Sequence, residues 1–276
     1  MNTVISQDGT PIAFDQFGQG PALVLVGGAL QSRGGDPRTA ALAERLAAHF
    51  TVVHYDRRGR GDSGDTTPYA VEHEVEDLEA LIDALGGPAF VFGHSSGAVL
   101  ALDAAQKLGP AKIARLALYE APFVVDDSRP PRPDGYVERL DALVAQGEPG
   151  DAVAYMLTAG ANVPAEYVAP MRAEPFWAGF ETLAHTLAYD GRIMGDTQAG
   201  TPLPRERWAS VVVPTLVMDG GASHPHMHGA AEALAALLPN ATRRTLEGQD
   251  HGPVPEVLAP VLETFLQADV KENARA

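Results

Sequence analysis

A serine flanked by glycines is the residue of this chain best suited to covalent chemistry. Ser95 lies in Gly93-His94-Ser95-Ser96-Gly97, directly after the apolar run 89–92 and before the helix-forming run 98–105. Flanking glycines allow a tight strand-to-helix turn that strains the serine backbone and exposes its hydroxyl beside the free N–H groups of a helix N-terminus. A glycine-rich loop with an ordinary serine is the alternative, and the strand and helix around the motif disfavour it. The pattern predicts that Ser95 is the nucleophile of an acyl transfer.

A serine hydroxyl needs a base within hydrogen-bond reach and a third group that orients this base. We predict that His251 is the base. It lies in Gly248-Gln249-Asp250-His251-Gly252, between the last predicted strand and the last predicted helix. Of the nine histidines it alone has the chain position expected after such a serine motif. A solvated loop histidine is the alternative interpretation of this residue taken by itself.

Composition limits the kind of protein that carries these residues. The chain has 276 residues, 45% of them hydrophobic, which suffices for one large domain or a core with a subdomain. Its formal net charge of −16 argues against nucleic acid or an anionic membrane as a partner. It has no cysteine, so thiolate chemistry and cysteine-based zinc sites are excluded. We expect a cytoplasmic protein, a monomer or homodimer, whose partner is a small-molecule substrate.

The elements that must position Ser95 and His251 alternate between strand and helix. Asp8-Gly9 supplies the turn of an initial hairpin. Strands are predicted over residues 3–6, 12–17, 22–26, 51–55, 89–92, 116–119, 211–218 and 242–246, and helices over 37–50, 74–85, 96–108, 227–238 and 255–267. This alternation predicts an α/β fold with a mostly parallel eight-stranded sheet and helices on both faces.

The alternation stops between residues 122 and 209, a segment rich in proline and aromatic residues. We predict a helical lid here, with helices over 134–145, 151–159 and 174–189, while residues 1–121 and 210–276 form the core domain. Most of its aromatic residues will form the lid's own core, but some must contact substrate. Candidates are Phe123, Met156, Met171, Phe176, Trp177, Phe180 and Tyr189, among which we predict Phe123, Met156, Phe176, Trp177 and Phe180 as substrate-binding residues.

A third motif completes a resemblance to a known family. Asp56-Arg57-Arg58-Gly59-Arg60-Gly61-Asp62-Ser63 matches D-x-R-G-x-G-x-S after the fourth predicted strand. With the Ser95 motif and the late His251, it makes the chain resemble the α/β-hydrolase family over nearly its full length. The resemblance implies the α/β-hydrolase fold with a lid between strands six and seven, and a structural role for this turn.

The family also implies an oxyanion hole built from two backbone N–H groups. Ser96, which follows the nucleophile, supplies one donor. The segment Val26-Gly27-Gly28-Ala29-Leu30 aligns with the family's His-Gly loop, so Ala29 supplies the other. Gly27 stands where the family has histidine, which removes a side chain that braces this loop.

The acid is where the sequence departs most from the family. Ser223 occupies the family's usual aspartate position in Gly220-Gly221-Ala222-Ser223, and serine cannot stabilise an imidazolium by charge. Glu120, at the end of the sixth strand, resembles the alternative acid position of haloalkane dehalogenases and is our choice. Asp219 stays open as a second candidate. Asp250 is adjacent to His251 and cannot easily fold back onto its ring.

These residues together predict a serine hydrolase without a cofactor that cleaves a carboxylic ester, thioester or lactone of a mostly apolar molecule through an acyl-enzyme. Ser95, His251 and Glu120 would be its catalytic residues. Two alternatives stay open: a C–C bond hydrolase or non-hydrolytic lyase or cyclase, and a ligand-binding, receptor-like protein. We predict no metal site, because His224, His226 and His228 lack an accompanying carboxylate pattern.

Overall fold

The computed structural model describes residues 1–268 and contains one eight-stranded sheet. The strand order is β1-β2-β4-β3-β5-β6-β7-β8. Strands β1 and β2 pair antiparallel, β2 pairs antiparallel with β4, and all other pairs are parallel. The strands are β1 Asn2–Ile5, β2 Pro11–Phe17, β3 Ala22–Val26, β4 Thr51–Tyr55, β5 Ala89–His94, β6 Ile113–Tyr119, β7 Thr215–Gly220 and β8 Ala241–Leu246. The predicted mostly parallel eight-stranded sheet is confirmed.

Helices cover both faces of this sheet, as predicted. One face packs against α2 Val71–Ala84, α3 Ser96–Leu108 and α9 Pro225–Leu237, whose apolar side chains join one buried cluster. The other packs against α1 Pro37–Leu46 and α10 Pro255–Leu266, which contribute to a second cluster. Strands buried on both faces read as continuous apolar runs, which is why β3, β5 and β6 were recognisable from sequence. Within residues 1–268 no helix combines the length and apolarity needed to cross a bilayer.

The seventh strand begins later than the sequence predicts. The predicted range 211–218 is apolar except at Thr215, yet β7 runs Thr215–Gly220. Pro214 lies directly before it and has no N–H to donate to a ladder, while its carbonyl accepts a bond from Leu116. At its other end the strand continues two residues past the predicted Met218, through Asp219 to Gly220.

The segment between β6 and β7 is helical but more broken than its periodicity suggests. It contains α4 Tyr136–Ala145, α5 Pro149–Tyr155 with a π-turn over Met156–Gly160, α6 Ala165–Met171, α7 Trp177–Thr182 and α8 Leu187–Met194. The single helix predicted over 174–189 is wrong. The Thr182 hydroxyl bonds the Gly179 carbonyl and the Thr186 hydroxyl bonds the Leu183 carbonyl. Such side-chain bonds compete with the helix ladder and favour the 3₁₀ turn found between α7 and α8.

Candidate active site

Ser95 occupies the sharp turn between β5 and α3. Its backbone has φ 57° and ψ −127°, a conformation that non-glycine residues rarely adopt. A Cβ on Gly93 would lie 2.6 Å from the Ala98 Cα, and one on Gly97 would lie 2.4 Å from the Gly27 carbonyl oxygen. Neither flanking glycine has a positive φ, so backbone conformation does not require glycine at these positions. The lack of space for a Cβ does.

His251 and Glu120 meet at the same edge of the sheet. Nδ1 of His251 lies 2.7 Å from Oε2 of Glu120, whose carboxylate is fully enclosed, while the imidazole is 45% exposed. The other carboxylate oxygen, Oε1, accepts a 2.8 Å bond from the Gly220 amide. Burial alone would raise the pKa of Glu120, but the hydrogen bonds from His251 and Gly220 outweigh it and hold that pKa below its ordinary value. The pair is therefore an imidazole oriented by an ionised carboxylate.

The loop that carries His251 is held by two side chains from neighbouring strands. The Tyr119 hydroxyl donates a 2.5 Å bond to the Asp250 carbonyl, and Nε2 of His94 donates a 2.7 Å bond to the His251 carbonyl. Burial, followed by the nearby His251, lowers the pKa of His94 to about 4, so this imidazole is neutral at pH 7. The Asp250 carboxylate accepts from the Gly252 amide and closes its own loop. These contacts fix the height of His251 above the sheet.

Ser95 and His251 line the same two cavities, of about 270 and 810 Å³. Within residues 1–268 no hydrogen bond joins Oγ of Ser95 to the His251 ring. Catalytic hydrogen bonds are often long before substrate binds and shorten in the complex, so the absence of this bond does not argue against Ser95 and His251 as partners. The serine itself is half-buried, and both cavities reach it.

Ala29 and Ser96, the predicted oxyanion donors, both line the larger cavity beside Ser95. Within the described residues neither of their N–H groups bonds a protein acceptor. Leu30, which follows Ala29, has φ 58° and turns the loop sharply at this point. Ala29 in this loop and Ser96 at the start of α3 therefore each have an N–H without a protein acceptor among residues 1–268, beside the cavity that Ser95 lines.

A buried ion network lies behind this loop. Asp190 of α8 bonds Arg57 and Arg60 at 2.7 Å each, and it also accepts a 2.7 Å bond from the Ser96 hydroxyl. Arg57 bonds the Gly27 carbonyl and Arg60 bonds the carbonyl of the residue after it. The turn predicted to be structural thus connects a helix of the 122–209 segment to the loop that carries Ala29.

Asp219, the other acid candidate, lies elsewhere. Its carboxylate is fully buried and bonds Arg243, Thr245 and Nδ1 of His228. Because both oxygens serve these partners, the structure pairs His251 with Glu120 and not with Asp219. His224 and His226 stack on each other with ring centroids 6.0 Å apart. Among residues 1–268 there is no group of three or more side chains placed to hold a metal ion.

Most of the side chains predicted to contact substrate lie outside the larger cavity. Met156 lines it, but Phe123, Phe176, Trp177 and Phe180 do not. Phe123 is fully buried against Trp208, Trp177 is buried in the core of the 122–209 segment with its indole N–H on Glu181, and Phe176 is exposed. Helical spacing shows which residues share a face, but it does not show whether that face meets substrate or another helix.

Polar residues that the sequence did not indicate line this cavity. They include Arg129, Arg132, Tyr136, Asp190, Gln198 and His226. Asp190 is a charged residue among the apolar positions of α8, and this departure from the pattern could have indicated it. The two arginines lie in Ser128-Arg129-Pro130-Pro131-Arg132, an irregular proline-rich stretch whose side-chain directions no periodicity fixes.

The chain is similar in sequence and structure to known hydrolases. The profile described as alpha/beta hydrolase family matches residues 23–263. A solved structure of an alpha/beta hydrolase from Sphaerobacter thermophilus DSM 20745 is 57% identical, with a TM-score of 0.88 over 96% of this chain and 100% of that one.

Two curated proteins are also similar. A non-heme chloroperoxidase from Streptomyces lividans is 27% identical over 97% of this chain and 100% of its own length. The uncharacterized hydrolase YraK from Bacillus subtilis is 38% identical over 107 residues, 37% of this chain. That match spans 38% of YraK, so most of its length has no counterpart in the alignment.

Proposed function

Since the chain belongs to the alpha/beta hydrolase family of enzymes, we propose that it is a serine hydrolase that cleaves a carboxylic ester, thioester or lactone through an acyl-enzyme on Ser95. The observation that carries this proposal is the strained, cavity-facing Ser95 at one sheet edge with an imidazole that a buried carboxylate orients. These are the parts that acyl transfer by serine requires.

In the proposed mechanism Oγ of Ser95 attacks the substrate carbonyl while Nε2 of His251 takes its proton. Glu120 holds Nδ1–H and stabilises the imidazolium without taking the proton itself. The N–H groups of Ala29 and Ser96 bind the developing oxyanion, each contributing on the order of 3 kcal/mol. His251 then protonates the leaving alcohol or thiol, and water attacks the acyl-enzyme by the same route in reverse.

We further propose that residues 122–209 form a lid under which the substrate binds. Support comes from a separate apolar cluster within this segment, which Leu30 of the Ala29 loop joins. The cavity beneath has apolar walls that include Met156, Val163, Leu187 and Met194. A volume of about 810 Å³ accommodates a small molecule.

The experiment that tests this function compares Ser95→Ala with the wild type on 4-nitrophenyl butyrate. The variant should lose turnover by a factor of at least about 10³ while keeping its circular dichroism spectrum. Ser210→Ala, an exposed serine outside the site, is the matched control and should retain full activity. Equal activity of Ser95→Ala and the wild type would overturn the proposal.

A second measurement separates hydrolysis from the two alternatives. An activated serine reacts with a fluorophosphonate probe, so the wild type should be labelled and Ser95→Ala should not. A lyase that works without Ser95 would keep its reaction in the variant, and a binding protein would take up no label. Either result would contradict an acyl-enzyme on Ser95.

A further inference from the structure

Two arginines line the larger cavity without a carboxylate partner. Arg129 and Arg132 both face it, and within residues 1–268 no acidic side chain forms an ion pair with either. Their protein bonds go to carbonyl and amide oxygens: Arg129 to Pro130 and Gly160, and Arg132 to Gly191, Gly195 and Gln198. Burial is the largest influence on the pKa of each guanidinium and lowers it from its ordinary value.

Three arginines that are at most 2% exposed, Arg57, Arg58 and Arg60, are arranged differently. Arg57 bonds Glu74 and Asp190, Arg58 bonds Asp8 and Asp77, and Arg60 bonds Asp190. A buried charge without a partner costs several kcal/mol, so proteins usually supply one. Arg57, Arg58 and Arg60 each have such a carboxylate partner. Within residues 1–268 the two cavity arginines have none. The cavity arginines therefore indicate a place for an anion that arrives with the ligand.

The guanidinium of Arg129 is placed to contact a ligand in the cavity directly. Its side chain is 6% exposed, and its Nε–H and one Nη2–H bond the Pro130 and Gly160 carbonyls at 3.2 and 3.0 Å. Nη1 has no protein acceptor within the described residues. The backbone carbonyls hold the guanidinium plane in place, so its free edge is already oriented before a ligand binds.

His226 supplies a second unused polar atom in the same cavity. It is 8% exposed, and its Nε2 is buried without a hydrogen-bond partner. Burial, followed by the charge of Arg129, lowers the pKa of His226 to about 4. At neutral pH the ring is uncharged and can donate one N–H, which gives the site two donors from different elements.

We propose that Arg129 and His226 bind a carboxylate of the substrate, so that the enzyme acts on esters or thioesters that carry a free carboxyl group. This inference rests on the proposed function and refines its substrate class. A planar carboxylate matches the fork of a guanidinium, and such charge-assisted bonds are the strong ones. Met156, Leu187 and Met194 then contact the carbon chain between the carboxylate and the ester. The expectation of a mostly apolar substrate becomes that of an apolar chain with one anionic end.

Two pairs of chain-matched esters test this class. Monomethyl adipate and methyl hexanoate differ by a carboxylate in the acyl part, and 4-acetoxybutanoate and butyl acetate differ by one in the alcohol part. The wild type should prefer the charged member of at least one pair by about 10- to 100-fold in kcat/KM, the range of a hydrogen bond to a charged group. No preference in either pair would overturn the carboxylate site.

Variants of Arg129 test whether this residue causes the preference for the charged ester. Arg129→Gln should lower kcat/KM for the charged ester at least about 10-fold more than for its neutral partner, which abolishes the preference, while Arg129→Lys should keep part of it. Arg139→Gln, an exposed arginine on α4, is the matched control and should behave as wild type. Equal losses on charged and neutral esters in Arg129→Gln would contradict the inference. If this variant does not fold, Arg129→Lys and His226→Leu provide the same comparison.

Binding without turnover separates this inference from the proposed function. Calorimetry of Ser95→Ala with adipate should show binding that is lost in the double variant with Arg129→Gln, whatever the wild type hydrolyses. A wild type that cleaves no ester but binds adipate through Arg129 would contradict the hydrolase mechanism alone. A wild type that cleaves neutral esters while Ser95→Ala binds no adipate would contradict the carboxylate site alone.

Discussion

Nδ1 of His251 lies 2.7 Å from Oε2 of Glu120, although 131 positions separate the two residues in the chain. The contact forms because β6 ends at Tyr119 and β8 ends at Leu246, and both strands run parallel toward the same edge of the sheet. Glu120 has φ 47°, which bends the chain away from the sheet directly after β6. This turn directs the Glu120 carboxylate toward the loop that carries His251.

We predict that Glu120→Gln lowers kcat by about 10³- to 10⁴-fold with little change in KM, because an amide cannot stabilise the imidazolium that forms during attack. Steady-state kinetics on 4-nitrophenyl butyrate measures both constants. Asp219→Asn is the control, since its carboxylate bonds Arg243 and His228 and not His251. A larger loss of kcat in Asp219→Asn than in Glu120→Gln would contradict the assignment.

Gly97, the second of the two glycines that flank Ser95, provides a steric prediction. In Gly97→Ala the new Cβ would lie 2.4 Å from the carbonyl oxygens of both Val26 and Gly27, so the oxyanion loop must shift. We expect a loss of about 1–3 kcal/mol in the free energy of unfolding, together with a lower kcat. Gly179→Ala, on exposed α7 with open space around its Cβ, should be neutral or stabilising. Urea denaturation compares the two, and equal stabilities would refute the steric explanation.

The ion network behind the loop provides a third prediction. Asp190→Asn leaves the buried Arg57 and Arg60 with less compensating charge, so the free energy of unfolding should fall by about 3–5 kcal/mol. Asp141→Asn removes an exposed pair with Arg192 and should cost at most about 1 kcal/mol. Chemical denaturation at pH 7 measures both, and similar losses would show that burial gives this network no special weight.

The same carboxylate makes stability depend on pH with a defined sign. Burial acts to raise the pKa of Asp190, but Arg60 and Arg57 outweigh it and keep that pKa below its ordinary value. Its contribution is therefore fully present above an unfolded-state pKa of about 4 and declines as the pH falls through the lower folded value. The stability difference between wild type and Asp190→Asn should be constant from pH 5 to 7 and shrink below about pH 4. A difference that grows on acidification would contradict this sign.

The sequence predicted the sheet and the placement of Ser95, His251 and Glu120 for one physical reason. Parallel strands bring their carboxyl ends to a common edge, so residues that directly follow β5, β6 and β8 are neighbours whatever lies between them. The requirement for Gly93 is local, since a Cβ there would meet Ala98 of the same turn, whereas Gly97 is required by the backbone of the loop after β3.

The contacts of the 122–209 segment were not predictable in this way. Phe123 and Trp177 pack inward, whereas Arg129 and Arg132 line the cavity, and nothing in their spacing distinguishes the two outcomes. Which side chains line a cavity depends on how short helices and proline-rich loops pack over the sheet. That packing is decided by long-range contacts that a local pattern does not contain.

The most direct test of the account is the mass of the enzyme quenched in acid during turnover of 4-nitrophenyl acetate. We predict that the wild type, and more fully the Glu120→Gln variant, gains the mass of one acetyl group, and that peptide mapping locates it on Ser95. An unmodified enzyme during steady turnover, or an acetyl group on any other residue, would contradict the claim that Ser95 is the nucleophile.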